Sequence, residues 1–298
     1  MKIATAAYPL DWLDSWAQYE DKLANWVSEA AGQGAELLVF PEYGAMELST
    51  LDGAGVAGDL ERSIHAVSDR MEDVTKLHMR LAKEYNLYIL GASAPVDAGF
   101  RRPVNRAELF TPDGTHDHQD KQIMTRFERE QWDIAPGGPL KLFDTALGRI
   151  GVLICYDSEF PLLGRALCDA DLILVPSCTE ALSGYWRVRI GAMSRALENQ
   201  CVTVMASLVG SNDWSEAVDM NTGMGGVFGP PDVGFPETGV LAEGALNRPG
   251  WTYAEIDLEA IAHVRADGRV LNRKHWSEQE PRVQSVTNCC LKAFEPLK

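Results

Sequence analysis

Short apolar runs that end abruptly constrain the fold of this chain more than any other feature. Glu36–Phe40 stops at Pro41, and Leu172–Val175 stops at Pro176. Proline has no backbone N–H and cannot continue a hydrogen-bond ladder inside a sheet, so these runs predict buried strands with defined ends. Longer segments with helical periodicity alternate with them, as in Trp12–Ala31. This alternation predicts an α/β fold in which helices cover sheets.

The rest of the chain continues the alternation. Helical periodicity predicts further helices over Leu60–Tyr85, Pro161–Cys168 and Trp186–Gln200. Apolar or alternating runs predict strands over Met1–Tyr8, Leu87–Ala92, Val202–Ala206, Gly239–Ala242 and Thr252–Asp257. The turn Pro112-Asp113-Gly114 after Arg106–Phe110 predicts a hairpin.

Length and charge limit the possible function classes. No linker, repeat or low-complexity tract interrupts the 298 residues, so we expect a single domain over residues 1–298. The net charge of −16 argues against a nucleic-acid partner, because binding to phosphates depends on clustered Lys and Arg. No apolar stretch approaches the roughly 18 residues that span a bilayer, and the first apolar run is too short for a signal peptide. We therefore expect a cytoplasmic protein with no membrane partner.

The cysteines do not have the spacing of a metal or disulfide framework. The chain has 6 cysteines, with no Cys-x-x-Cys pair and no neighbouring histidine. Cys201 lies in an apolar run and is predicted to be a core residue. The adjacent Cys289 and Cys290 near the tail need no role beyond packing.

Cys155 differs because it comes directly after the apolar run Ile150–Ile154. A thiol at the end of a buried strand can face a pocket while the strand holds it still, although a core position is the common alternative. Glu42 follows another such run, and Lys121 follows a polar turn. Each of these two could instead be a surface residue. Together they offer a thiol the base and the cation that it needs as a nucleophile.

The chain resembles the nitrilase superfamily of carbon-nitrogen hydrolases. Phe40-Pro41-Glu42, Lys121 and Gly151–Asp157 stand in that family's order of Glu, Lys and Cys. Arg195–Gln200 is similar to its Arg-Ala-x-Glu-Asn helix, and the late strands also match. The resemblance spans most of the chain. It implies a four-layer α-β-β-α sandwich, a homodimer or higher homo-oligomer, and neither metal nor organic cofactor.

The resemblance also implies a role for each residue. Cys155 would attack the carbon of an amide or nitrile and form an acyl-enzyme. Glu42 would be the general base, and Lys121 would stabilise the oxyanion together with the backbone N–H of Tyr156. Members of the family carry a second glutamate between the Lys and the Cys. We predict Glu130 for it, because Gly137 follows at 137 − 130 = 7 residues; Glu128 is the alternative.

Substrate contacts are expected from residues that flank the centre, with Tyr156, Ser177 and Trp132 as the candidates. Ser158-Glu159 departs from the basic pair that is frequent in the family, so a carboxylate-binding arginine cannot be transferred to this position. A small linear amide is the preferred substrate. Nitriles and N-carbamoyl amines remain alternatives because they pass through the same thiol adduct.

Two readings of another kind stay open. The fold could serve as a binding or assembly module without catalysis, although Glu42, Lys121 and Cys155 are all present. A papain-like hydrolase would need a histidine partner for the thiol, with His263 or His275 as candidates.

Overall fold

The computed structural model describes residues 1–289, so Cys290 lies outside the described residues. The strands are β1 Lys2–Pro9, β2 Leu37–Val39, β3 Tyr88–Leu90, β4 Ala94–Val96, β5 Val104–Phe110, β6 His116–Asp120, β7 Leu142–Thr145, β8 Gly148–Val152, β9 Leu172–Ser177, β10 Val202–Ser211, β11 Met220–Asn221, β12 Gly226–Phe228, β13 Val240–Glu243 and β14 Gly250–Glu255. The α-helices are α1 Trp16–Gly32, α2 Ala54–Ala57, α3 Leu60–Ser68, α4 Met71–Tyr85, α5 Arg126–Glu130, α6 Pro161–Ala166, α7 Leu182–Asn199, α8 Leu258–Asp267 and α9 Asn272–His275. Shorter 3₁₀ helices cover Gly44–Asp52, Cys155–Glu159 and Trp276–Gln279.

The strands form two leaves that join at one corner. The first leaf contains β1 to β6 and β14, and the second contains β7 to β13. Strand β1 pairs with β2 and β14 through residues 2–7, and its last residues, Ala7–Pro9, pair with β10 of the second leaf. The predicted hairpin is present as β5 and β6.

The two leaves are packed between helices. Alternate side chains of β2 point to opposite faces: Leu38 packs with α1 and α4, whereas Leu37 and Val39 pack with Val152 and Leu174 of the second leaf. Helix α7 covers β9 and β10 on the far side of that leaf. The order of layers is therefore helix, strand, strand, helix. Cys201 is buried in this core, as predicted.

Three predicted helices differ from the observed ones, and α7 is one of them because it begins at Leu182 and not at Trp186. Helix α1 begins at Trp16 because the side chain of Ser15 accepts a hydrogen bond from Gln18 N and caps the helix. The segment Leu60–Tyr85 is two helices and not one. Helix α3 packs against β4 and the 3₁₀ helix Gly44–Asp52, whereas α4 packs against α1 and β5, so the chain must change direction between them.

Within residues 1–289, no helix has both the length and the apolar character needed to cross a membrane.

Helix α7 approaches the turn that carries Cys155 very closely, at Gly191. A Cβ on Gly191 would lie 2.8 Å from the carbonyl oxygen of Ser158 and 2.9 Å from its hydroxyl oxygen. Distances this short require the backbone to shift. Glycine therefore allows the helix and the turn to touch, despite its poor helix propensity.

We expect Gly191→Ala to lower the free energy of unfolding by about 1–3 kcal/mol, because overpacking outweighs the gain in helix propensity. Gly32→Ala is the control: Gly32 is the last residue of α1, and a Cβ on it would meet nothing within 4 Å. Urea unfolding of both variants measures the difference. Equal stabilities of the two variants would contradict the packing argument.

Candidate active site

Three strand ends from both leaves meet at one cavity. Glu42 follows β2 and Lys121 follows β6 in the first leaf, whereas Cys155 follows β8 in the second. All three side chains are buried and line a cavity of about 700 Å³. The sequence prediction that these residues lie together agrees with the geometry.

The ammonium group of Lys121 lies between two carboxylates. Its Nζ is 2.7 Å from Oε1 of Glu42 and 2.7 Å from Oε2 of Glu128. Burial disfavours the charged amine, but the two carboxylates raise the pKa of Lys121 well above its usual value. The amine is therefore a fixed positive charge inside the cavity.

Glu128 is held by groups from three segments. Tyr43 donates its hydroxyl to Oε1 at 2.6 Å, and both the backbone N–H and the hydroxyl of Thr125 donate to Oε2 at 2.8 Å. Burial opposes ionisation, yet Lys121 and these donors lower the pKa of the Glu128 carboxyl. Glu128 is therefore an ionised group that orients the lysine.

Glu42 has a different environment. Its Oε1 accepts a hydrogen bond from the Asn105 side chain at 2.9 Å, and its Oε2 accepts one from the backbone N–H of Cys178 at 3.0 Å. Burial raises the pKa of Glu42 and the charge of Glu128 adds to the effect, although Lys121 opposes it. A carboxylate with a raised pKa is a stronger base, which is the property that a proton acceptor needs.

Cys155 has a constrained backbone at the start of a 3₁₀ helix. Its φ of 50° lies in the left-handed region, which costs a non-glycine residue on the order of 1–3 kcal/mol. The hydroxyl of Ser158 donates to the Cys155 carbonyl at 2.7 Å and supports this conformation. The Sγ of Cys155 lies 3.7 Å from the carbonyl oxygen of Cys178. Burial and then Glu42 raise the pKa of the thiol, so the resting proton lies on sulfur.

The prediction of Glu130 as the second glutamate is wrong. The Glu130 side chain is 56% exposed and pairs with Arg126 at 2.8 Å on the outside of α5. Glu128, the alternative, contacts Lys121 instead. The two positions are separated by about 200° around a helix, so only one of them can face the cavity.

Two of the three residues expected to contact substrate line the cavity, and the third does not. Tyr156 and Trp132 both line the cavity, and the indole N–H of Trp132 is fixed by the carbonyl of Leu60 at 3.1 Å. Ser177 does not line the cavity. It is buried in β9, and its hydroxyl donates to the carbonyl of Ala206 in the neighbouring strand. The next residue, Cys178, reaches the cavity wall.

Two residues of the site, Asn105 and Cys178, were not predicted from the sequence, and Glu128 was predicted only as the alternative to Glu130. Asn105 and Cys178 carry no signal that separates them from ordinary strand residues. Glu128 did carry a sequence signal, because Thr125 and Glu128 have the spacing of a capping box. The structure contains that capping box. A glutamate anchored in this way has a fixed direction, unlike the free surface residue Glu130.

Comparison with known proteins decides the family. The family model described as carbon-nitrogen hydrolase matches residues 2–266. The chain belongs to the carbon-nitrogen hydrolase family. Within residues 1–289 there is no group of three or more His, Cys, Asp or Glu side chains arranged to hold a metal ion.

Three relatives illustrate the similarity. The probable hydrolase YhcX of Bacillus subtilis is 33% identical over 277 residues, which cover 92% of this chain and 53% of YhcX, so the chain spans about half of that relative. Human omega-amidase NIT2 is 27% identical over 265 residues, covering 85% of this chain and 88% of NIT2. The crystal structure of Saccharomyces cerevisiae Nit3, a member of branch 10 of the nitrilase superfamily, has a TM-score of 0.69 at 23% identity and covers 89% of this chain and 93% of its own. The predicted α-β-β-α fold of the family is confirmed.

The two neighbouring glutamates of α5 provide a matched pair of variants. We expect Glu128→Gln to lower kcat/KM roughly 100-fold, because Lys121 loses one of its two buried counter-charges and shifts relative to Cys155. Glu130→Gln should change it less than about twofold, since exposed ion pairs contribute little. Ammonia release from an amide measures both, with circular dichroism as the check on folding. A larger loss in Glu130→Gln would refute the assignment.

Proposed function

We propose that this protein hydrolyses a small linear amide to a carboxylic acid and ammonia through an acyl-enzyme on Cys155. The observation that supports this most is the Lys121 ammonium group fixed between Glu42 and Glu128 inside the cavity that Cys155 lines. A thiol, a base with a raised pKa and a buried cation are the groups that acyl transfer requires.

In the acylation step the Cys155 sulfur forms a bond with the amide carbon. Its proton passes to Glu42, and the electron pair of the C=O bond moves to oxygen. The ammonium group of Lys121 stabilises that oxyanion, together with the backbone N–H of Tyr156. Collapse of the adduct breaks the C–N bond, and the proton on Glu42 leaves with ammonia.

In the deacylation step Glu42 accepts a proton from water, and the water oxygen attacks the thioester carbon. The C–S bond then breaks, the acid leaves, and the proton returns to sulfur. The high pKa of the thiol favours this return, because burial and the Glu42 charge disfavour a free thiolate.

The papain-like alternative lacks a suitable histidine. His263 on α8 and His275 on α9 are exposed, and neither lines the cavity that contains Cys155. A carboxylate is therefore the better candidate for the base. The single domain over residues 1–298, the homo-oligomeric state and the cytoplasmic location stay predictions from the sequence.

A substrate panel tests the proposal. A short linear amide, the nitrile of equal length and the corresponding N-carbamoyl amine are each scored by ammonia release and by intact-mass spectrometry. We expect ammonia from the amide and a mass adduct that is absent in Cys155→Ala, because the adduct is a thioester on that sulfur. Cys201→Ala is the matched control, since this buried cysteine lies outside the cavity lining.

The other outcomes separate the alternatives. Acid from the nitrile without comparable amide turnover would indicate a nitrilase. Turnover restricted to the N-carbamoyl amine would indicate an N-carbamoyl amidohydrolase. Neither adduct nor ammonia with any compound would favour the non-catalytic module.

The outer wall of the cavity is acidic. Arg187 is paired with Glu159 at 3.3 Å, and Arg126 is paired outside the cavity with Glu130. The remaining acids that line the wall, which make no ion pair within residues 1–289, are Glu180, Glu216 and Asp219. The surplus of negative charge disfavours a substrate that carries a carboxylate.

We therefore expect isocaproamide to be hydrolysed faster than succinamate, its anionic isostere, by roughly tenfold in kcat/KM at low ionic strength. The double variant Glu216→Gln/Asp219→Asn should narrow this ratio, because it removes two of the unpaired charges. Added salt should also narrow it. A preference for succinamate in the unmodified protein would contradict the charge argument and leave the amide chemistry standing.

A further inference from the structure

One buried carboxylate, that of Asp157, binds backbone groups from both leaves of the fold. Its Oδ1 accepts the N–H of Ile123 at 2.8 Å, and the N–H of Gln122 lies 3.2 and 3.1 Å from its two oxygens. Its Oδ2 also accepts the N–H of Ile154 at 3.3 Å. The Asp157 side chain is fully buried and is absent from the cavity lining, so it does not touch substrate.

The positions of these donors in the sequence are informative. Gln122 and Ile123 directly follow Lys121 in the first leaf, and Ile154 directly precedes Cys155 in the second. One carboxylate therefore spans the gap between the segment that carries the ammonium group and the turn that carries the thiol. Burial raises the pKa of Asp157 to about 7. Above that pH the carboxylate is charged, and its hydrogen bonds to these N–H groups are stronger than neutral ones.

We propose that Asp157 is a positioning residue that sets the distance between the Lys121 ammonium group and the Cys155 thiol. The expected effect of Asp157 on kcat rests on the proposed function. Its effect on the distance between Lys121 and Cys155 does not depend on whether the protein turns over an amide. Reacting groups lose roughly 100-fold in rate when they are displaced by about 1 Å, so a fixed separation is valuable here.

Alkylation of Cys155 provides a readout that a merely structural role would not move in the same direction. The positive charge of Lys121 favours the thiolate, whereas Glu42 disfavours it. If Asp157→Asn lets Lys121 move away, less thiolate forms, and iodoacetamide should modify Cys155 about three- to tenfold more slowly at each pH below the thiol pKa. Simple loosening of the fold would expose the thiol and speed up the reaction. Loss of a neighbouring negative charge alone would also speed it up.

The experiment measures alkylation by mass spectrometry of the Cys155-containing peptide, alongside steady-state kinetics. For Asp157→Asn we expect kcat to fall roughly 10- to 100-fold with KM changed less than about threefold, because the cavity walls stay in place. Asp171→Asn is the matched control. Asp171 accepts the backbone N–H of Arg149 at 3.0 Å at the opposite end of β8, and the same chemical change there should leave both readouts within about twofold.

Two results would overturn the inference: unchanged or faster alkylation in Asp157→Asn, or a fall in kcat no larger than in Asp171→Asn. If the unmodified protein hydrolyses no amide at all, the proposed function fails, while the alkylation result still decides the role of Asp157.

Hydrogen exchange on the unmodified protein covers the case in which Asp157→Asn does not fold. The amides of Gln122 and Ile123 should be protected about as well as those of β8, because Asp157 holds them. Exchange as fast as in the exposed loop 97–102 would overturn the inference without any variant.

Discussion

The buried ammonium group of Lys121 is the interaction on which the rest of this structure depends. A lone charge in a protein interior is very costly, and here two carboxylates 2.7 Å away compensate it. Those carboxylates come from distant parts of the chain, and each is fixed by further donors. Removal of Lys121 would leave two buried carboxylates with no cation between them. The cluster therefore ties the end of β2, the end of β6 and helix α5 into one geometry.

The cavity exists only because the two leaves close on each other. The thiol belongs to the second leaf, whereas the base and the cation belong to the first. Hydrogen bonds cross between the leaves at the site itself: Cys178 N–H binds Glu42, and the N–H groups next to Lys121 bind Asp157. The left-handed backbone of Cys155 is tolerated because the close approach of α7 and the Ser158 hydroxyl surround that turn. The fold thus supports the strained position of the nucleophile.

Sequence patterns predicted much of this architecture, and their failures have physical causes. Pro41 follows the end of β2 as predicted, because a missing N–H is a local property, whereas β9 continues through Pro176 to Ser177. The segment Leu60–Tyr85 keeps helical periodicity throughout, but its two halves pack on different partners, which periodicity cannot reveal. Ser177 directly precedes Cys178, which lines the cavity. Side chains alternate along β9, so Ser177 points the other way. The roles of Asn105 and Asp157 could not be predicted, because their partners, Glu42 and Ile123, are distant in the sequence.

The two glutamates of α5 show where the sequence stops and the tertiary structure begins. Their spacing of two positions determines that they point to opposite sides of a helix, because each residue advances by about 100°. The sequence likewise determined which strands end in a thiol, a carboxylate or an amine. Which glutamate faces inward was decided only by the packing of α5 against Lys121 and Tyr43. The physical reason is that local periodicity fixes relative directions along the chain, whereas the direction of the core depends on segments far apart in sequence.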